Sequence, residues 1–261
     1  MKLSTPGGAS TPRSRPADRP ASRQVWAIVV AAGSGTRFGE PKQFSLLADR
    51  PVVEWAVEAC RAVAVGVVLV LPADRMQERF GADLIVEGGS SRSDSVRRGL
   101  GALPRGAELV VVHDAARPLA SSLLFHRVLE EMGDPSLAGA VCGVPVNDTL
   151  KEVDAESGCI VATVDRSVLM AVQTPQIFRA PILRDAHARG GEATDDAGLV
   201  EALGATVRVV AGDPCNLKLT SPDDLSYAEH LLARNQRRGP EPGGGPLEHG
   251  GARGASPVAG R

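Results

Sequence analysis

Residues 25–39 read VWAIVVAAGSGTRFG. The apolar run from Val25 to Val30 is continuous, short and closed by glycine, the pattern of a strand buried on both faces. Glycines directly after such a strand let backbone N–H groups come close to a phosphate. Two cations follow within one loop: Arg37, and Lys42 in the stretch EPKQ at 40–43. A dinucleotide fingerprint needs G-x-G-x-x-G and an acid ending the second strand. Here the third glycine comes one residue late, and the second strand ends Leu71-Pro72 with no acid. A Walker loop needs G-K-[ST], which does not occur. Two cations beside a glycine loop suit a triphosphate whose charge must be held and whose α-phosphorus must be attacked. The plainer alternative is a strand–turn–helix linker carrying two solvated cations.

Outward from that strand, apolar runs alternate with helical patterns. PVVEWAVEACRAVA (51–64) places Val52, Trp55, Ala56 and Ala59 on one helix face, with Pro51 at its start. GVVLVLP (66–72) and DLIVEGG (83–89) read as strands, and SSRSDSVRRGLGAL (90–103) as a helix. ELVVVHDAARP (108–118) is a strand, SSLLFHRVLEEMG (121–133) a serine-capped helix, and AGAVCGVPV (138–146) a strand. This βαβα order predicts a mostly parallel, Rossmann-like sheet covered by helices on both faces. Residues 147–166 break the rhythm. Leu150, Val153, Ile160, Ala162 and Val164 alternate with polar residues about the turn DAESG, which predicts a β-hairpin arm over about 146–166. A hairpin is marginal alone, so the arm is expected to pack on something outside the local sheet, a second subunit first of all. Helices over 180–190, 194–204 and 221–235 and a strand over 205–212 complete the body.

The chain has 261 residues, 29 Lys+Arg and 31 Asp+Glu, a net charge of −2. That balance gives no basic footprint for nucleic acid. Aromatic residues make up 3 %, too few for base-stacking platforms. No apolar run approaches the ~20 residues that span a bilayer, and the N-terminus has no apolar signal core, so no membrane partner is expected. Cys60, Cys142, Cys159 and Cys215 form no C-x-x-C pair and match neither a zinc site nor a disulfide scaffold. Cys60 and Cys142 lie in apolar runs and read as core residues, and unpaired thiols fit a cytoplasmic protein. Residues 1–23 and 236–261 are rich in Pro, Gly, Ser and Arg, a composition that predicts disordered extensions flanking a folded body over 24–235. The first shares the texture of transit peptides, but an extension is the plainer reading.

The remaining polar points fall where a parallel sheet keeps its ligands, beyond the carboxyl ends of strands. GGSSRSDS (88–95) ends the third strand; its serines can cap the next helix, and its glycine backbone can face a base or ribose. HDAARP (113–118) ends the fourth, where Asp114 and Arg117 form either a local ion pair or a site for a cation or sugar hydroxyl.

At this point the residues match a known family. AAGSGTRFG-x-PKQ, GG-x(2)-R-x-DSV, VHDAARP, TVDR…QTPQ-x-F, TDDA and NLKLT occur in that order between about Val25 and Leu232. The set resembles the 2-C-methyl-D-erythritol 4-phosphate cytidylyltransferases of non-mevalonate isoprenoid synthesis. The resemblance implies a GT-A-like nucleotidyltransferase fold and a homodimer joined by hairpin arms. It implies CTP and a sugar-alcohol phosphate as substrates and Mg²⁺ as cofactor. Position by position, it implies Arg37 and Lys42 as the pair stabilising the transition state. Ala31, Ala32, Gly33 and Gly35 become the CTP loop, with Gly89, Ser90 and Ser95 near the nucleoside. Asp114, Ala115 and Arg117 become substrate- and metal-side groups, Asp114 the metal ligand. Thr149, Arg166, Thr194 and Lys218 hold the methylerythritol phosphate, with Arg166 and Lys218 the cations on its phosphate and Arg166 reaching the neighbouring subunit. The nearest rivals are a cytidylyltransferase for another alditol phosphate, such as ribitol 5-phosphate, and a nicotinamide-dependent Rossmann reductase.

Overall fold

A computed structural model describes residues 24–33 and 41–238. Residues 1–23 and 239–261 of the two terminal extensions expected from composition, and Gly35 and Arg37 of the glycine loop, lie outside these described residues, while 236–238, expected as tail, continue the last helix. In chain order the elements are β1 (Val25–Val30), β2 (Leu46–Leu47), β3 (Arg50–Pro51), α1 (Val52–Cys60), β4 (Gly66–Leu71), β5 (Leu84–Glu87), α2 (Arg92–Ala102), β6 (Leu109–Asp114) and α3 (Ser122–Glu131). They continue with β7 (Gly139–Pro145), β8 (Lys151–Val153), β9 (Ile160–Thr163), β10 (Met170–Arg179), α4 (Ala180–Ala188), α5 (Asp196–Glu201), β11 (Val207–Ala211) and α6 (Pro222–Arg238).

The main sheet has seven strands in the order β11-β7-β10-β6-β1-β4-β5. Every pairing is parallel except those of β10, which runs antiparallel to both β6 and β7. Period-2 alternation sorts each strand's side chains between two cores. Ala27 and Val29 of β1, Val67, Leu69 and Leu71 of β4 and Val111 of β6 pack with α1 and α3. Ile28, Val68, Val70, Val110 and Val112 pack with α2, α4 and α5 on the opposite face. A smaller cluster of Leu47, Val52, Leu219 and Ala228 seats α6 beside the β2–β3 turn. Cys60 and Cys142 are fully buried, as their apolar surroundings predicted, and burial pushes the Cys142 thiol up to about 12. All four thiols are unbridged.

β10 is the element the periodicity did not announce. MAVQTPQIFR carries a proline in mid-run, which argues against a central strand. The ladder to β7 shifts register between Gln173 and Gln176, and Pro175 sits in that irregularity. There its missing N–H costs no ladder bond. The arm forms as expected: β8 and β9 pair antiparallel in a sheet of their own, and every residue of both strands is exposed. Leu150, Val153, Ile160 and Val161 of the arm are uncovered apolar side chains.

The chain begins at β1, builds outward through β4 to β5, then crosses back to place β6 on the other side of β1. That reversal leaves a crevice at the carboxyl ends of β1 and β6, where Val30 and Asp114 are register partners.

Candidate active site

The crevice opens into a cavity of about 560 Å³ bordered by residues from five segments. Ala31, Ala32 and Gly33 follow β1, and Lys42 and Gln43 open the 3₁₀ turn Lys42–Phe44. Gly89, Ser90, Arg92 and Ser95 come from the start of α2, Asp114 and Ala115 from the end of β6, and Lys218 from the segment before α6. Ten positions expected from sequence are thereby brought together: Ala31, Ala32, Gly33, Lys42, Gly89, Ser90, Ser95, Asp114, Ala115 and Lys218.

Local chemistry explains how α2 delivers its share. Ser91 is the N-cap, its side chain accepting from the Asp94 N–H. Ser95 Oγ donates to the Ser91 carbonyl at 2.8 Å and accepts the Gly89 N–H at 3.1 Å. The Ser90 N–H donates to Asp94 at 3.1 Å. The turn therefore closes on itself, with Ser91 capping the helix while Gly89 and Ser90 border the cavity. Gly88 has no room for a side chain, because a Cβ would lie 2.1 Å from that of Ala32. Glycine is thus required where the two loops cross.

Asp114 is the electrostatic hub. Its Oδ2 accepts from Lys218 Nζ at 2.7 Å and its Oδ1 from Arg92 Nε at 3.1 Å. Burial pushes its carboxyl up, but Arg92 and Lys218 outweigh that and hold it well below the usual carboxylate range. Arg92 also donates to buried Asp196 at 2.7 Å, and His187 Nε2 lies 3.0 Å from the other Asp196 oxygen. Burial alone would lower the Arg92 guanidinium's affinity for its proton; the two flanking aspartates reverse that and raise it. A charge chain Lys218–Asp114–Arg92–Asp196 thus runs from the cavity into the core.

The other expected positions among the described residues lie off the cavity wall. The local Asp114–Arg117 ion pair does not form. Arg117 does not border the cavity; it turns inward and donates to the Asn216 carbonyl at 2.7 Å. It thereby braces the segment that carries Lys218, in surroundings whose burial lowers its pKa. Thr149, Arg166 and Thr194 are exposed and absent from the cavity wall of their own chain. Arg166 donates to the Asn147 carbonyl and closes the base of the arm. Nor is Asp114 disposed as an open metal ligand, since both oxygens already face cations. Among the described residues it is the one carboxylate on the cavity wall, and no group of three or more His, Cys, Asp or Glu is placed to hold a metal ion. This donor set fits Mg²⁺ only in its common nucleotide-borne mode, with substrate phosphates and waters as most of its ligands.

Three contributors went unread in the sequence. Arg92 was visible within the quoted motif but had no assigned role, because Asp114 and Asp196 are far from it in the chain. Gln43 is 4 % exposed and donates to two loop carbonyls. Thr174, inside the β10 irregularity, accepts the Asp114 N–H at 3.1 Å.

Among known proteins, the family model described as 2-C-methyl-D-erythritol 4-phosphate cytidylyltransferase matches residues 25–234. The enzyme of that name from Nocardia farcinica is 44 % identical over 220 residues, covering 80 % of this chain and 94 % of its own. That from Prochlorococcus marinus is 42 % identical over 224 residues, covering 79 % and 97 %. The crystal structure of the Thermus thermophilus protein of that name superposes with a TM-score of 0.68 at 38 % identity, over 79 % of this chain and 98 % of that one.

Proposed function

The chain belongs to the 2-C-methyl-D-erythritol 4-phosphate cytidylyltransferase family, and we infer that it transfers the cytidylyl group of CTP to 2-C-methyl-D-erythritol 4-phosphate, in the non-mevalonate route to isoprenoids. The products are 4-diphosphocytidyl-2-C-methyl-D-erythritol and pyrophosphate. The observation that carries this reading is the meeting of Lys42, Arg92 and Lys218 with the glycine backbone after β1 around one cavity.

No side-chain nucleophile is required, because the acceptor's phosphate oxygen is itself the attacking anion. It forms the new bond to the α-phosphorus as the bond to the β-phosphate oxygen breaks, and that electron pair leaves with pyrophosphate. The difficulty is repulsion. Two unit charges ~4 Å apart repel by about 4 kcal/mol at an effective dielectric of 20. Fixed cations answer it, and each one aimed at charge that develops in the transition state is worth roughly 3 kcal/mol, or about 10²-fold in rate. Lys42, with Arg37, takes the α-phosphate; Lys218 takes the acceptor side. Asp114 holds the Lys218 ammonium in place. The exposed loop at Ser90 and the buried Ser95 turn shape the wall for the nucleoside.

Mg²⁺ is proposed to arrive on the triphosphate, where it would neutralise phosphate charge, with Asp114 as the nearest protein carboxylate. Arg166, Thr149 and the uncovered arm side chains are proposed to engage a second copy of the chain, completing the partner's acceptor site. Thr194, in the segment preceding α5, lies on the same acceptor side in this proposal. Among the described residues no helix is long and apolar enough to cross a membrane; together with soluble, phosphorylated substrates this supports a cytoplasmic enzyme.

The deciding measurement is pyrophosphate release with CTP, Mg²⁺ and methylerythritol phosphate, set against ribitol 5-phosphate as acceptor and ATP, UTP and GTP as donors. Turnover is expected with CTP and methylerythritol phosphate. Faster turnover of ribitol 5-phosphate would move the enzyme to the rival acceptor.

A further inference from the structure

We propose that Gln43 is a positioning residue for the nucleotide's phosphates, acting through the backbone of the glycine loop. The proposal rests on the reading that CTP occupies the cavity.

Gln43 Nε2 donates to the Ala31 carbonyl at 2.7 Å and to the Gly33 carbonyl at 2.8 Å. An amide nitrogen has two hydrogens, so both are committed to this loop. The side chain is 4 % exposed, which rules out its replacement by bulk water as a donor. On its other side, the Ala31 N–H donates to the Val70 carbonyl at 2.9 Å. Ala31 is thus fixed at both backbone groups. Gly33 is different: a Cβ built there meets nothing within 4 Å. Ala31 and Ala32 are also held by packing, but at Gly33 no side chain is there to pack, so among the described residues its carbonyl is oriented by the bond to Gln43.

The consequence is electrostatic. A bare carbonyl dipole facing the cavity would repel a phosphate oxygen. With both carbonyls bonded to Gln43, a polyanion approaching the loop does not meet unpartnered acceptors. Trans planarity also sends the Ala32 N–H opposite to the Ala31 carbonyl, away from Gln43. The neighbouring residue in the chain is Lys42, so one short turn sets both the loop's dipoles and its cation. That turn is itself anchored: Phe44 packs on the α1–α3 core and stacks on Phe80 with ring centroids 5.7 Å apart.

The test uses the full-length enzyme with Gln43→Met, which keeps the volume and removes both donors, and Gln43→Asn, which keeps the amide but falls one methylene short of spanning two carbonyls. Binding of CTP and of cytidine is measured by calorimetry without acceptor, beside steady-state kinetics and thermal melting of the unliganded protein. A loop-positioning role predicts that both variants still fold cooperatively, with Tm lowered by no more than roughly 2–10 °C for the carbonyls left without a donor. It also predicts that CTP affinity falls by about tenfold or more, consistent with losing bonds that orient dipoles toward a charged ligand. Cytidine affinity and KM for the acceptor stay within about twofold, since neither presents a triphosphate to this loop. Equal losses for CTP and cytidine, unchanged CTP binding, or loss of the unliganded fold in both variants would each overturn the proposal. Failure of wild-type enzyme to bind CTP would instead overturn the functional reading.

Discussion

His113 shows how much a single side chain can be made to do next to the reacting groups. It is fully buried on β6, one residue before Asp114, with its ring 5.2 Å from that of Phe125. Donor accounting fixes its tautomer. The Arg117 carbonyl, 3.2 Å from Nε2, can only accept, so Nε2 carries the ring proton. Nδ1 of the neutral ring then accepts the Thr174 hydroxyl at 3.0 Å, while Thr174 Oγ1 accepts the Asp114 N–H. The imidazole therefore orders both ends of the HDAARP turn without being charged. Burial pushes its pKa from the ordinary 6.5 down to about 4, the neighbouring Asp114 only partly opposing that. The unfolded chain binds this proton first, so the stability it confers is complete above about pH 6.5 and drains away as pH falls towards 4. That amounts to about 1.4 kcal/mol per pH unit inside the window. Urea midpoints should fall from pH 7 to pH 5, and the His113 ring signal should stay neutral across that range in an NMR titration. A His113 ring that titrates near 6.5 would remove the argument.

At the scale of elements, β10 organises the site more than any other strand. It inserts antiparallel between β6 and β7, and its irregularity places Gln173 and Thr174 where they can serve two loops at once. Gln173 Nε2 donates to the Asp213 carbonyl at 2.9 Å and Gln173 Oε1 accepts the Asp213 N–H at 3.2 Å, while Asn216 Nδ2 donates to the Thr174 carbonyl at 2.9 Å. These bonds carry the segment that ends in Lys218. The strand's other half is held by close contact. A Cβ at Gly139 of β7 would lie 2.2 Å from Cδ1 of Phe178, which is fully buried and has nowhere to move. Gly139→Ala is expected to cost about 1–3 kcal/mol by overpacking. In a chain of this size that lowers Tm by roughly 2–10 °C. An unchanged melting temperature would show that Phe178 can be displaced. Because β10 is the element furthest from simple alternation, its proline made it illegible as a strand, although its residues had been picked out as a motif.

For the molecule as a whole, the placement of Arg166 sets the question. It sits beyond the arm, exposed, while Lys42 borders the cavity. Arg166 is absent from the cavity wall of its own chain, which is why a dimer is proposed. Lys42→Ala should lower kcat by about 10²-fold with a smaller change in KM for CTP. Arg166→Ala should act chiefly on KM for the acceptor. Mixing the two proteins under conditions that exchange subunits should restore about a quarter of wild-type activity, since half the dimers are hybrid and each has one site with both residues intact. Sedimentation of the mixture checks that dimers have exchanged. No recovery in exchanged dimers would mean that each chain builds its own site.

The sequence by itself determined the parallel strands, the helices and the carboxyl-end location of the site, because each is written in local periodicity and caps: apolar runs, Ser91, Ser121 and the glycine that must follow β1. It also set apart the arm, whose alternation has no helix to pair with. Only the tertiary structure decided which charges meet. Asp114 takes Arg92 and Lys218 in place of Arg117, its near neighbour in the chain, and Gln43 reaches back to Ala31 and Gly33. Local pattern governs backbone conformation over a few residues. The partner of a buried charge or amide is instead settled by which distant elements the sheet order brings within hydrogen-bonding distance.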